Sequence, residues 1–167
     1  QGEAPDYDSP IDFQAVTPGT VISDGALLNF TRHNFPLFQN ADEIPAEYLL
    51  SFGIWEVLQS QDFAGDLTYD DSGSILLPAA DVTKAFTRRF ALTKDLEHQS
   101  LELFGSFTYD GEAKQYKAPV FGMEDVYMPR IQAVEQTETG VILDLDFISS
   151  KAQDAYLEGG ALPEAYR

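Results

Sequence analysis

The 167-residue chain contains no cysteine, which excludes disulfide bonds, thiolate zinc sites and cysteine nucleophiles together. Basic residues are also scarce, because 10 Lys and Arg stand against 28 Asp and Glu and give a formal net charge of −18. A field of that sign repels nucleic-acid phosphates and disfavours adsorption to anionic lipids. We therefore expect no nucleic-acid partner, and a membrane contact only through a lipid anchor upstream of the chain.

The motifs of common catalytic and cofactor sites are missing as well. The sequence has no Gly-rich phosphate loop, no HExxH and no GxSxG. No run approaches the ~18 apolar residues that a membrane-spanning helix needs. His33 and His98 each stand alone, and we interpret them as surface or capping histidines. The sequence thus predicts no cofactor and no metal, and it identifies no catalytic residue.

Apolar and aromatic residues, in contrast, are plentiful. They make up 44% of the chain and include 12 Phe, 8 Tyr and one Trp, which is enough for a packed core. Residues 1–20 are rich in Pro, Gly and acidic side chains, and we expect a flexible leader or tether there. Since the chain begins at Gln1, we expect export with removal of an upstream signal. We predict a single domain over 21–150 and a tail over 151–167.

Apolar periodicity predicts two or three helices in the first part of the chain. The first would follow an N-cap at Ser23 or Asp24, although Gly25 and the aromatic residues of that segment would also suit a strand. The second covers 45–59 and the third covers 79–91. Gly53 lies inside the second helix, where Gly costs ~1 kcal/mol relative to Ala, so we expect it to mark close packing against another element. One or two further helical turns are expected in "TKDLEHQSLELF".

From Gly105 onward the apolar period changes to two. Asp110 and Gly111 form a dipeptide typical of a hairpin turn. "VYMPRIQAVEQ" predicts a strand with an edge position or a bulge at Pro129, and "GVILDLDFIS" predicts a strand with alternating faces. Helices followed by antiparallel strands indicate an α+β fold, with two or three N-terminal helices packed on a C-terminal antiparallel sheet.

The tripeptide Thr-Tyr-Asp occurs twice, in "LTYDDSGSIL" and in "FTYDGEAKQY". Each copy stands where an extended segment gives way to turn residues, and we interpret both as turns. The first copy also resembles a calcium loop in the order of Asp70, Ser72, Gly73 and Ile75. Ala79, however, occupies the position where such a loop needs a bidentate Glu.

Two charged groups are further candidates for a site. Asp144 and Asp146 lie on one strand face, roughly 7 Å apart from the rise per residue, which suits an acid/base pair or a cation site. A solvated strand face shows the same alternation, and we favour it. Lys84, Arg88 and Arg89 could bind an anion, but we favour a solvated helix face paired with local carboxylates.

The aromatic residues supply the ligand-binding hypothesis. A groove for a sugar or a peptide would need exposed rings, and core or cross-strand packing is the competing interpretation. The candidate ligand-binding residues are Trp55, Tyr109, Tyr116, Tyr127 and Arg130.

Three stretches, "GSILLPAADVTKAFTRRFAL", "SFTYDGEAKQYKAP" and "MPRIQAVEQTETGVILDLDF", resemble a pattern of uncharacterised surface lipoproteins of Gram-positive, clostridia-type bacteria. The resemblance covers roughly 70–148, and its motifs are of low specificity. It implies an exported, lipid-tethered protein with a cystatin-like or nuclear-transport-factor-like α+β fold. The anchoring lipobox cysteine is absent from this sequence, and the resemblance implies no catalytic residues.

Three functions remain open. The first is an extracytoplasmic, non-catalytic binding or assembly module at the cell surface, with a protein or a small molecule as its partner. The second is a small enzyme with an Asp or His base in an apolar, cone-shaped pocket, where desolvation raises a carboxyl pKa. The third is an inhibitor-like domain that presents a loop such as "KAPVFGMED" to a protein. A pocket with a titratable group would favour the enzyme, and an exposed aromatic patch would favour the binding module.

Overall fold

The structure, a computed structural model, describes residues 17–19, 25–119 and 127–149. It confirms the α+β class, since the described residues form helices and antiparallel sheets. They belong to two compact units. The first unit contains 17–19, 25–32 and 127–149, and the second contains 33–119.

The elements, in chain order, are α-helices, short 3-10 helices and strands. The α-helices are α1 (Gly25–Arg32), α2 (Ala46–Gln59) and α3 (Ala79–Thr87), and the 3-10 helices are Ala41–Glu43 and Gln61–Asp66. The strands are β1 (Thr68–Tyr69), β2 (Ile75–Pro78), β3 (Thr108–Asp110), β4 (Gln115–Ala118), β5 (Tyr127–Gln136) and β6 (Val141–Ser149).

The predicted leader and tail lie outside the described residues, apart from residues 17–19. The same holds for the predicted N-cap residues of the first helix and for residues 120–125 of the proposed inhibitory loop. The domain boundaries therefore stay a prediction. Within the described residues, no helix is long and apolar enough to cross a membrane.

In the first unit, α1 packs against the antiparallel pair of β5 and β6. Leu27 and Leu28 of α1 are buried together with Ile131 of β5. The partly buried side chains packed against them are those of Val134, Leu143 and Leu145. Leu143 and Leu145 therefore confirm part of the apolar face predicted for the last strand. Phe147, which was predicted on the same face, is 40% exposed, and Ile148, which was predicted on the opposite face, is buried.

The turn between β5 and β6 is closed by a hydrogen bond from the Thr137 amide to the Gly140 carbonyl at 2.8 Å. β5 continues through Pro129, and the irregularity in the ladder falls between Ile131 and Ala133. Within the described residues β5 pairs with β6 alone, so it is an edge strand, which is where a strand tolerates Pro.

In the second unit, α2 is apolar on nearly all sides, because residues 49–54 as well as Glu56 and Val57 are buried. It begins after Pro45, as predicted. A helix buried on several faces needs neighbours on each of them. α3 is one such neighbour, with Val82, Ala85 and Phe86 buried.

The third helix is shorter than predicted and ends at Thr87 instead of residue 91. Arg88 and Arg89 form a turn after it, and both side chains reach Glu56 of α2. Phe90 is nevertheless buried, as its helical spacing from Phe86 indicated.

The sheet of the second unit has the antiparallel order β1-β2-β4-β3. This differs from the predicted sequence of helices followed by strands, since β1 and β2 precede α3. The apolar run of β2 is short and no strand was predicted for it, but β4, about 40 residues later, pairs along all of it.

The additional helical turns expected in 93–104 are absent, and this prediction was wrong. Residues of this segment instead form hydrogen bonds with the β3–β4 hairpin and the residues before it. The Tyr109 amide donates to Ser100 Oγ at 2.9 Å, and Leu101 forms an isolated bridge with Phe107. These long-range partners favour an extended backbone over a helix.

Candidate functional site

The candidate ligand-binding residues do not form one cluster. Trp55, Tyr109 and Tyr116 belong to the second unit, whereas Tyr127 and Arg130 belong to the first. The side chain of Tyr127 lies outside the described residues. Tyr109 and Tyr116 are neighbours across β3 and β4, with ring centroids 5.0 Å apart. The ligand-binding role of these residues stays a prediction.

Arg130 is engaged by a carboxylate of its own sheet. Its Nε donates to Asp146 Oδ1 at 3.0 Å, its Nη2 donates to Oδ2, and Gln132 Nε2 also donates to Oδ2 at 2.5 Å. Partial burial would raise the pKa of Asp146, but the hydrogen bonds from Arg130 and Gln132 outweigh it and lower that pKa. Asp146 is therefore an ion-pair partner, and the exposed Asp144 does not share its environment.

Tyr116 is fully buried and forms a polar network with His98. His98 Nδ1 lies 2.9 Å from the Tyr116 hydroxyl, and His98 Nε2 lies 2.8 Å from Thr83 Oγ1. The Gln99 amide donates to the same hydroxyl at 3.3 Å. Both ring nitrogens of His98 and the Tyr116 hydroxyl have partners when that hydroxyl donates to Nδ1 and Nε2–H donates to Thr83 Oγ1. Burial raises the pKa of Tyr116 to about 12 and lowers the pKa of His98.

We expect the free energy of unfolding to fall as the pH drops through about 6.5, the usual pKa of histidine. Because the folded pKa of His98 is lowered, the unfolded chain takes up a proton first, so this contribution is complete above 6.5 and is lost in acid. Urea titrations at several pH values, on the wild type and on His98→Gln, measure it. The variant should have a flatter pH dependence, and equal slopes would contradict the prediction.

His33 was predicted to be a surface or capping histidine, and the surface position was wrong, because His33 is buried next to α2. Its Nε2 lies 3.0 Å from Ser51 Oγ, and Ser51 Oγ donates to the Leu103 carbonyl at 3.2 Å. Since the Ser51 proton is used by Leu103, the histidine donates to the serine oxygen. The pair is therefore arranged to hold the backbone at Leu103 and not to activate a nucleophile.

Arg88 and Arg89 of the basic cluster are paired with carboxylates, as predicted, but the predicted solvated helix face was wrong, because both follow the end of α3 and their side chains are only 23% and 14% exposed. Arg88 Nε and Arg89 Nε donate to the two oxygens of Glu56 at 3.1 and 3.0 Å, and the Glu56 side chain is 0% exposed. Arg88 also pairs with the exposed Asp62 and lies over the ring of Phe63. These contacts link α2 to the residues that follow α3, so the two arginines stabilise the second unit.

Each Thr-Tyr-Asp copy stands where a short strand gives way to a turn, as predicted. Asp70 Oδ1 accepts from the amides of Ser72 and Ser74, each at 2.9 Å, and Oδ2 pairs with Lys117 Nζ at 2.6 Å. The hydrogen bonds from Lys117 and then Ser72 lower the pKa of Asp70. Asp110 accepts from two amides of its own turn. Among the residues that the structure describes, no group of three or more His, Asp or Glu could hold a metal ion.

Asp81, in the first turn of α3, is the described carboxyl that best matches the acid/base group of the enzyme hypothesis. Its Oδ2 is buried without a hydrogen-bond partner among the described residues. Burial raises the pKa of Asp81, and the nearby Asp66 raises it further while Lys84 opposes the shift. The enzyme hypothesis itself stays a prediction.

The most distinctive surface of the second unit is a row of rings that reaches solvent at both ends. Phe35 contacts Phe38 and Tyr48 at centroid distances of 6.3 and 6.0 Å, and Tyr48 contacts Phe104 at 6.5 Å. Phe38 is 36% exposed, Phe104 is 46% exposed, and the neighbouring Leu37 is fully exposed. We call Phe35, Leu37, Phe38, Tyr48 and Phe104 the aromatic surface.

Two side chains of α2 hold the backbone that presents Phe104. Ser51 donates to the Leu103 carbonyl, and Trp55 Nε1, one helical turn later, donates to the Phe104 carbonyl at 3.1 Å. Phe104 has φ 54, in the left-handed region, which costs a side-chain-bearing residue about 1–2 kcal/mol. Trp55 therefore takes a positioning role at this surface.

The sequence analysis named Trp55, which holds the Phe104 carbonyl, but none of the five residues of the aromatic surface. A signal was present in "HNFPLFQN", where Phe35, Leu37 and Phe38 surround Pro36 in a segment with no helical or strand period. Apolar residues concentrated in such a loop are candidates for an exposed patch. Phe104 carried no comparable signal, because its exposure depends on contacts with α2.

No protein family, no curated protein and no solved structure matches this chain, so its function has to be argued from the side chains described above.

Proposed function

We propose that this chain is a non-catalytic binding module that docks a polypeptide partner through the aromatic surface. The observation that supports this most directly is Phe104, a residue that is 46% exposed and has a left-handed backbone. Full burial of the side chain would help to offset the strain of that backbone, whereas nearly half of the surface of this residue is exposed. Strained residues of this kind concentrate at functional positions.

The neighbouring loop supports the same proposal. Its apolar side chains Leu37 and Phe38 are exposed, although the loop is well defined by hydrogen bonds from Gln39 and Asn40 to Glu43. Clustered apolar side chains at a protein surface mark interaction sites. Aromatic rings in particular supply large contact areas at a low cost in side-chain entropy.

Several titratable groups of the structure are compatible with a non-catalytic role, and Asp81, with its buried Oδ2, is the exception among those described. Glu56, Asp70 and Asp146 each have a basic partner, and both ring nitrogens of His98 are bonded to protein hydroxyls. Groups held in this way stabilise the fold and are poorly placed to exchange protons with a substrate.

The same proposal includes an extracytoplasmic, lipid-tethered location, which is supported by the resemblance to surface lipoproteins over roughly 70–148. It also includes the cystatin-like or nuclear-transport-factor-like fold type, supported by the combination of helices with antiparallel strands. A crystal structure with one antiparallel sheet wrapped around a single long helix would support this fold type.

A selection from an unbiased peptide-display library tests the binding function. We expect selected peptides to bind the wild type and to lose at least about tenfold in affinity on the double substitution Leu37→Ser and Phe38→Ser, because these side chains supply the exposed apolar area. Fluorescence anisotropy with the synthetic peptides measures the affinities.

Tyr69→Ser is the matched control, since Tyr69 is another exposed aromatic residue of the second unit at 68% exposure. It should leave the affinities unchanged. Trp55→Phe, which removes the hydrogen bond to the Phe104 carbonyl but keeps a ring, should weaken binding by a smaller factor. Peptides that bind the double variant as tightly as the wild type would contradict the proposal, as would a selection that yields none.

A further inference from the structure

Carboxylates border the aromatic surface at both of its ends. Glu43 Oε2 accepts from the Gln39 amide at 2.8 Å, so this carboxylate lies within the loop that carries Leu37 and Phe38. Glu102 Oε1 accepts from Ser106 Oγ at 3.1 Å, across the turn that contains Phe104. Each exposed phenylalanine of the surface is therefore presented beside a glutamate.

The central part of the surface has a carboxylate as well, because the exposed Glu47 precedes Tyr48 on α2. The basic residues that flank this region in sequence are Arg32, three positions before Phe35, and Lys94. Lys94 lies close enough to Asp42 to contribute to the lowered pKa of that residue, after the stronger hydrogen bonds from Thr93. Three exposed glutamates, Glu43, Glu47 and Glu102, thus accompany the exposed rings in the sequence.

We infer that the partner segment docked by the aromatic surface carries lysine or arginine side chains beside its apolar ones. This inference rests on the proposed function and adds the chemical class of the partner. Apolar side chains would cover the rings, and the cations would pair with the bordering carboxylates. A guanidinium or ammonium group can also lie over the face of Phe or Tyr, a contact worth about 0.5–1 kcal/mol at exposed sites.

Charge decides between this partner and the other possible occupants. A second copy of the chain would bring a net charge of −18 against −18, and the repulsion opposes association through an acidic border. An anionic lipid surface is disfavoured for the same reason. A cationic polypeptide is attracted by the whole chain and finds its local complement at this surface.

Two display libraries with the same apolar content test the inference, one with Lys and Arg at its remaining positions and the other with Asp and Glu. We expect surface-dependent peptides from the basic library alone. Their affinity at low salt should fall about threefold to tenfold on the double substitution Glu47→Gln and Glu102→Gln, and high salt should reduce this difference.

Glu112→Gln is the matched control, because Glu112 is an exposed glutamate in the β3–β4 turn. It should change the affinity little. An equal loss of affinity on Glu112→Gln would overturn the inference, because it would show only a general attraction to an acidic protein. Basic peptides that bind the Leu37→Ser and Phe38→Ser double variant as well as the wild type would overturn it for the same reason. Acidic or uncharged peptides that depend on the aromatic surface would overturn it too, while leaving the binding function intact.

Discussion

The Glu56→Ala variant is expected to unfold with a free energy about 3–5 kcal/mol lower than that of the wild type. The carboxylate of Glu56 is completely buried and accepts hydrogen bonds from Arg88 and Arg89. Removing it leaves two guanidinium groups partly withdrawn from water without their main counter-charge. An uncompensated charge of this kind costs far more than a lost surface ion pair.

The neutral analogue separates charge from packing. Burial raises the pKa of Glu56, and the positive charges of Arg89 and Arg88 oppose that rise. Glu56→Gln keeps the shape and one acceptor oxygen but removes the charge, so its stability should lie between those of the wild type and Glu56→Ala. Urea unfolding followed by circular dichroism measures all three.

Asp62→Ala is the control, because Asp62 pairs with the same Arg88 at 2.8 Å but its side chain is 55% exposed. Exposed pairs contribute about 0–1 kcal/mol, so Asp62→Ala should cost several-fold less than Glu56→Ala. Equal losses at the two positions would show that burial is not what makes Glu56 important.

Features governed by short-range pattern could be predicted from the sequence. The apolar spacing around Gly53 predicted α2, and the Asp-containing turns at Asp70 and Asp110 were recognised from their dipeptides. In each case the residues that determine the structure lie within a few positions of one another, so propensity and turn chemistry are sufficient.

Features that depend on distant partners were missed. Arg88 ends α3 early and contacts Glu56, 32 positions before it. β2 joins the sheet through β4, with Leu77 opposite Tyr116. Local pattern carries no information on these pairings, and tertiary contacts override the helical spacing that extended to Phe90.

The candidate site shows the same division. Trp55 was predicted as a ligand-binding residue from its chemistry alone, which stays a prediction, whereas its hydrogen bond to Phe104, 49 positions away, could not be predicted. The left-handed backbone of Phe104 was also unexpected, since Gly105 follows directly and would ordinarily take the turn position with positive φ. In the structure both residues have positive φ, and the contacts with α2 stabilise that arrangement.

Gly53→Ala is expected to destabilise the second unit, although alanine favours a helix by ~1 kcal/mol over glycine. A Cβ at this position would lie 2.7 Å from the Val82 carbonyl oxygen and 3.0 Å from Val82 Cγ1. The oxygen belongs to the backbone of α3, so the two helices would have to separate. Overpacking costs typically about 1–3 kcal/mol, which exceeds the gain in propensity.

The size of the added side chain and the position of the glycine provide the test. Gly53→Val adds carbons beside Phe86 Cδ2, which is already 3.2 Å from an ideal Cβ, and should cost about 3 kcal/mol or more. Gly65→Ala is the control, because nothing lies within 4 Å of its added Cβ, and it should stay within about 0.5 kcal/mol of the wild type. If urea unfolding gave Gly53→Ala the stability of Gly65→Ala, the close approach of α2 and α3 would be wrong. A loss of stability at position 53 but not at position 65, larger for valine than for alanine, is the result expected if the two helix backbones meet at Gly53.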